Sequence, residues 1–297
     1  MGPAAAIAAV SLLVPAAPGP PAADTAQITE WTVPWAQSRP RDPYVAPEGG
    51  VWFVGQRSHY AAVFDPKTAA FKRFDLEDGT GPHNLVVDRR GDVWYAGNLN
   101  GHIGRLDPRT GRITRYPMPD SAARDPHTLV FDGRGDLWFT VQGGNFVGRL
   151  TTATGKVELV RVPTEDARPY GIVVDTRGRP WFNEFGSNKI ATVDPATMKL
   201  EEIALPRAEA RTRRIGLTRD GGVWYVDYAG GMLGRLDPAT RQVKEWPMPG
   251  GAGSRPYAMA VDDRDRVWFV ETGARPNRLV GFDPRTERFF GTASVPS

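Results

Sequence analysis

Residues 168–206 read RPYGIVVDTRGRPWFNEFGSNKIATVDPATMKLEEIALP, and the rest of the chain repeats this unit with variations. Its centre is the aromatic pair Trp181-Phe182. The same pair, with Tyr sometimes replacing Phe, recurs at Trp52-Phe53, Trp94-Tyr95, Trp138-Phe139, Trp224-Tyr225 and Trp268-Phe269, so successive tryptophans lie 42, 44, 43, 43 and 44 residues apart. Within the unit, the apolar runs GIVVD, PWFNE, KIATV and KLEEIALP are of strand length, rich in β-branched and aromatic residues, and separated by turn residues. None is long enough for a helix. The Asp-Pro step at 65–66, 107–108, 194–195, 237–238 and 283–284 marks a recurring turn, in which Pro presets φ and Asp bonds the backbone beyond it. Four antiparallel strands repeated every 40–45 residues or so predict an all-β fold, a β-propeller of four-stranded blades.

Six complete repeats are expected, at about 42–76, 81–119, 125–163, 168–206, 211–249 and 255–296, together forming one domain over 24–297. The first repeat carries a shortened inner strand at Tyr44–Ala46. Ile28-Thr-Glu-Trp-Thr-Val-Pro34 matches Val243-Lys-Glu-Trp-Pro-Met-Pro249, the fourth strand of a later repeat, and is read as an outer strand without a blade of its own. That orphan strand suggests blades spaced at the roughly 51° of a seven-bladed ring, leaving a gap whose inner strands would follow Ser297.

Residues 1–23 are apolar, Ala-rich and Pro-punctuated, and read as a secretory signal peptide too short to span a bilayer, although the usual basic n-region is missing. An exported protein, periplasmic or secreted and monomeric, is expected, with no membrane insertion after leader removal. The absence of cysteine removes disulfides and thiolate chemistry. A formal charge of +3 with basic residues scattered through all repeats lacks the clustered stripe of a nucleic-acid binder.

The repeat also organises the chemistry. The turn at Arg177 lies midway between Tyr170 and Glu184, which predicts that the residue 11 before each Trp and the residue 3 after it are cross-strand neighbours at one channel mouth. The first position holds His83, His127, Tyr170, Arg213 and Tyr257; the second holds Gly55, Gly97, Val141, Glu184, Asp227 and Glu271. Convergent carboxylates with imidazoles suit a divalent cation and a general base, whereas the same acids could instead pair with Arg168, Arg213, Arg214 and Arg255 and hold the blades in register. His59 and His102 are expected as solvated loop residues.

The units at 81–119 and 168–206 resemble the repeats of the virginiamycin B lyase (streptogramin lyase) family, in the pattern PxG-I-x-x-x-x-G-x-W-F-T-E-x-x-x-N-x-I-G-R-I followed by an E-Y-P-x-P strand. The resemblance implies a propeller that opens an ester-linked cyclic depsipeptide by elimination, using a magnesium ion, a histidine base in a Pro-His step and nearby acids. Carried over by position, it suggests His127 in Asp125-Pro126-His127, then His83 in Gly81-Pro82-His83, as catalytic. Glu184, Asp227 and Glu271 would be the metal ligands, with Tyr170, Arg213, Tyr257, Gln142 and Asn98 touching substrate. In the two histidine blades Val141-Gln142 and Gly97-Asn98 replace the acid. A gluconolactonase-like hydrolase acting on a lactone and a non-enzymatic binding propeller remain as alternatives.

Overall fold

The computed structural model describes residues 28–295; the expected signal peptide lies outside them. Six four-stranded antiparallel sheets follow one another at 40–75, 82–117, 126–161, 169–204, 212–247 and 256–294, here blades 1 to 6, each with its strands in chain order from the channel outward. The helical content of the described residues is one 3-10 turn, Ala252–Ser254. Protein comprising residues 28–295 should accordingly give a circular-dichroism spectrum without helical minima.

The invariant tryptophan has two structural tasks. In blades 2 to 6 its indole N–H donates to the side chain six residues earlier, at 3.0 Å from Trp94 to Asp88, 3.3 Å from Trp138 to Asp132, 3.1 Å from Trp181 to Asp175, 2.9 Å from Trp268 to Asp262 and 3.0 Å from Trp224 to Thr218. Each of those Asp residues also accepts backbone N–H groups from its own hairpin turn, so the indole locks the turn that precedes it. The ring then packs on the next blade: Trp138 lies in a cluster with Ile172, Phe182 and Val193 of blade 4. Trp138 is wholly buried, so Trp138→Ala is expected to cost about 3–5 kcal/mol, read as a lowered urea midpoint. A loss below about 1 kcal/mol would contradict this packing role.

Two expectations about the N-terminus change. The inner strand of blade 1 is full length, Pro40–Val45, and pairs with Val51–Gly55, where a shortened strand at Tyr44–Ala46 was expected. Residues 28–34 belong to no strand. They nevertheless keep an outer-strand contact, because Trp31 meets Phe64 at 4.9 Å and 50°, close to the 5.0 Å and 53° between Trp246 and Phe282. Inner strands of consecutive blades pack side by side from blade 1 to blade 6, but those of blade 6 and blade 1 are not packed together in this way. A seam therefore runs between them.

Candidate functional site

Every inner hairpin shifts register by one residue near the channel mouth. In blade 4, Ile172 pairs with Phe182 but Pro169 pairs with Glu184; the same shift separates Leu85–Tyr95 from Pro82–Gly97 and Met259–Phe269 from Pro256–Glu271. A β-bulge of this kind turns the following side chain to the other face of the sheet. Tyr170 and Glu184 are thus not opposed, and the two predicted rings separate.

The residues 11 before each Trp do gather on the channel axis. His83 and His127 stack with ring centres 3.6 Å apart, His127 lies 4.3 Å from Tyr170, and the Tyr170 and Tyr257 hydroxyls are 2.8 Å apart. The Arg213 guanidinium sits over Phe185 at 4.1 Å and Tyr228 at 4.3 Å, with Tyr257 at 5.4 Å and Tyr170 at 5.7 Å, an aromatic box filled by a cation. Asp42 links the two halves of the cluster. Its carboxylate lies 3.7 Å from His83 Nδ1, accepts from Asn84 Nδ2 at 3.3 Å, and lies 3.4 Å from Arg214, which contacts both tyrosine rings at 5.5 Å.

Burial and positive neighbours set the protonation states. His83 is held well below the ordinary imidazole value by burial, then by Arg41, Arg214 and Arg39, with a hydrogen bond to the His127 backbone working the other way. His127 is held down likewise, by burial and then by His83 and Arg214. Both rings are neutral at pH 7. His83 Nδ1 is buried and has no hydrogen-bond partner, while His127 Nδ1 is 2.9 Å from Thr128 Oγ1. Burial, followed by its tyrosine neighbour, pushes the Tyr170 phenol up. Tyr257 is held below the usual phenol range despite burial, because Arg214 and the Tyr170 hydroxyl favour its anion.

The three carboxylates lie elsewhere, each fully buried and separately partnered. Glu184 accepts from Ser187 Oγ at 2.6 Å; Asp227 accepts from Arg207 at 2.5 Å and from the backbone N–H of Arg211 at 2.8 Å; Glu271 accepts from Arg278 at 2.5 Å and from Gly250 N–H at 2.7 Å. These bonds tie loops to their blades. No group of three metal-ligating side chains occurs among the described residues. The three expected metal ligands are thus not brought together: each is held by its own loop, and two of the three pair with arginine. Their donor set does not fit one magnesium ion.

Glu184 differs from the other two. Burial raises its carboxyl to about 7, with Glu202 adding to the rise and Ser187 opposing it, and its Oε1 has no partner. A carboxyl raised on folding contributes stability that is complete below pH 4.5 and lost as pH rises through about 7. Glu184→Gln should therefore raise the melting temperature above pH 7 and change it little below pH 5. On the shift from 4.5 to about 7, the gain well above pH 7 is about 3 kcal/mol. Equal effects at both pH values would contradict a strained anion.

Asn98 donates to the Pro126 carbonyl at 3.0 Å and Gln142 is half-buried in the turn after Val141. Both stand four residues after their Trp, as do Phe185 and Tyr228. That position, one beyond the predicted ring, is the one the bulge brings to the mouth. Arg41 and Asp42 escaped the sequence reading, and Arg214 entered it only as a possible ion-pair partner of the acids, although Arg41 stands 11 before Trp52 and Asp42 and Arg214 stand 10 before theirs. His59 does lie in the turn between the second and third strands of blade 1, half-buried, whereas His102 is no solvated loop residue. His59 Nδ1 accepts from Gly81 N–H at 3.0 Å, and His102 begins a strand, buried, with its imidazole lowered to about 4 by burial and by Arg115.

Beside the cluster a groove of about 670 Å³ opens along the seam, with Arg41, Asp42, Asn84, Arg214 and Tyr257 at its polar end and Met259, Trp268 and Val270 along its apolar wall. Its volume is that of a small-molecule site.

No protein-family model and no curated protein sequence matches the chain. Among solved structures, a streptogramin B lyase superposes with a TM-score of 0.81 at 26% identity, covering 89% of this chain and 86% of the other. Virginiamycin B lyase from Staphylococcus aureus gives 0.78 at 22% identity over 87% and 85%, and its catalytically inactive histidine-to-alanine variant, solved with quinupristin, gives 0.75 at 24% over 82% and 80%. The chain thus resembles the streptogramin lyase propellers over most of its length.

Proposed function

We propose that this protein is a carbon–oxygen lyase of streptogramin lyase type, exported and monomeric, that opens a cyclic ester or depsipeptide by elimination. The observation that supports it most is the free Nδ1 of neutral, buried His83, set 3.7 Å from Asp42, which itself lies 3.4 Å from Arg214 and lines the polar end of the groove. In this reading His83, turned toward the groove, takes the proton from the carbon α to a carbonyl. The β carbon–oxygen bond breaks, a carboxylate leaves, and a carbon–carbon double bond remains. Negative charge on the carbonyl oxygen faces Arg214, and Asp42 steadies the imidazolium that forms. His127, stacked beneath His83, is a positioning residue. No step is routed through a metal, because the buried acids do not offer a shared site.

Purified protein incubated with cyclic depsipeptides and lactones tests the reading by mass spectrometry. Elimination gives a ring-opened product of unchanged mass that contains an alkene. A product that has gained one water indicates a lactone hydrolase instead, a class represented among the structural neighbours by a putative 6-phosphogluconolactonase with TM-score 0.60 and 13% identity. No product from either substrate class, with ligand still bound, would leave a binding propeller.

A further inference from the structure

The neighbour-facing side of blade 6 is unlike that of the others. Trp94, Trp138, Trp181 and Trp224 are buried by the blade that follows, whereas Trp268 and Val270 are only half-buried and Ala258 and Ala260 are exposed. This open apolar wall leads inward to Arg41, Arg214 and Tyr257. Arg41 and Arg214 share a single carboxylate, Asp42, at 3.7 and 3.4 Å, so the pair carries a net positive charge. Arg41 Nε is moreover buried without a hydrogen-bond partner. A groove of about 670 Å³ with one long apolar side and a cationic inner end matches an amphipathic ligand rather than a wholly polar or wholly apolar one.

We propose that the seam between blades 6 and 1 is a lateral binding cleft, which takes a flat apolar or aromatic body against Trp268, Ala258 and Ala260 and a carboxylate or ester head at Arg41 and Arg214. Ligand then reaches the channel from the side of the ring. The assignment rests on the elimination reading for the identity of the reacting ester bond, but not for binding.

Calorimetric titration with 2-naphthoate, and with neutral 2-naphthylmethanol as its counterpart, tests the cleft without turnover. The carboxylate should bind, and the alcohol should bind about tenfold more weakly or worse. Arg214→Gln should weaken naphthoate by a similar factor. Because removing Arg214 also unpairs Asp42, the second variant is Ala260→Trp, which fills the cleft from an exposed position and should abolish binding while leaving the melting temperature nearly unchanged. Absence of binding to the wild-type protein, or binding indifferent to Ala260→Trp, overturns the proposal. So does a dimer in light scattering that Ala260→Trp dissociates, since a second copy would then cover the seam. Naphthoate binding lost in Ala260→Trp, with no cyclic ester ever opened, keeps the cleft and removes the lyase. Ester opening at the wild-type rate by Ala260→Trp does the reverse.

Discussion

Arg207→Ala is expected to lower the free energy of unfolding by about 3 kcal/mol, the low end for breaking a buried ion pair. Arg207 bridges two acids, with Nη2 at 2.5 Å from Asp227 and Nε at 2.8 Å from Glu245. The Asp227 side chain is fully buried and Arg207 only 24% exposed, so solvent screens the pair little. The Tyr225 hydroxyl also donates to Glu245 at 2.8 Å, which fixes that carboxylate in place. Removing the guanidinium leaves two anions with their remaining neutral donors and no cation between them. Asp227→Asn in the same background should recover part of the loss, because Asn keeps an acceptor for the backbone N–H of Arg211 without the charge. Urea denaturation of the two single variants and the double variant reads this directly. A loss under about 0.5 kcal/mol in Arg207→Ala would return Asp227 to the list of acids free for other work.

His83→Ala is expected to lower kcat for ester opening by about 10²- to 10⁴-fold, the usual contribution of a general base, with little change in ligand affinity. The pH profile should carry the signature of the site. Because burial and the arginines hold the His83 imidazole below its ordinary 6.5, the neutral, proton-accepting form persists below that pH. The acid limb of kcat/KM should fall there too. Stability follows the same sign: the folded protein binds fewer protons than the unfolded chain below pH 6.5, so the contribution of His83 and His127 is complete above that pH and declines as acid is added. His127→Phe keeps a ring for stacking and should cost far less activity than His83→Ala. Equal losses in the two variants, or an acid limb above pH 6.5, would remove His83 from the role of base.

The period of the Trp-aromatic pair made the architecture legible, because one residue type recurs wherever one blade must cover the next and lock its own turn. The pattern also located the channel ring at His83, His127, Tyr170, Arg213 and Tyr257. It failed at the acids. Counting outward from Arg177 assumes an unbroken ladder, and a bulge is made by backbone dihedrals near Pro169 that no periodic pattern of side chains records. Counting through Asn98, Gln142, Phe185 and Tyr228, one residue farther on, restores the correct ring. Asp42 was missed for another reason: Pro43 interrupts the apolar run of blade 1, so its inner strand read as short although Pro40 and Arg41 still pair with Gly55 and Val54. The N-terminal segment illustrates the opposite case, where Trp31 and Val33 match an outer strand in sequence and Trp31 matches it in packing, but among the described residues they pair with no strand.

A sealed ring of repeats has no ends, and every blade gains from two neighbours. An open one behaves as a short linear array, in which terminal units have one neighbour each and fray first. The seam should impose such a gradient here. Amide hydrogens of blades 1 and 6 would exchange soonest and those of blades 3 and 4 last, and a molecule lodged between the two ends would act as a clasp, slowing exchange at both margins together although they lie at opposite ends of the chain.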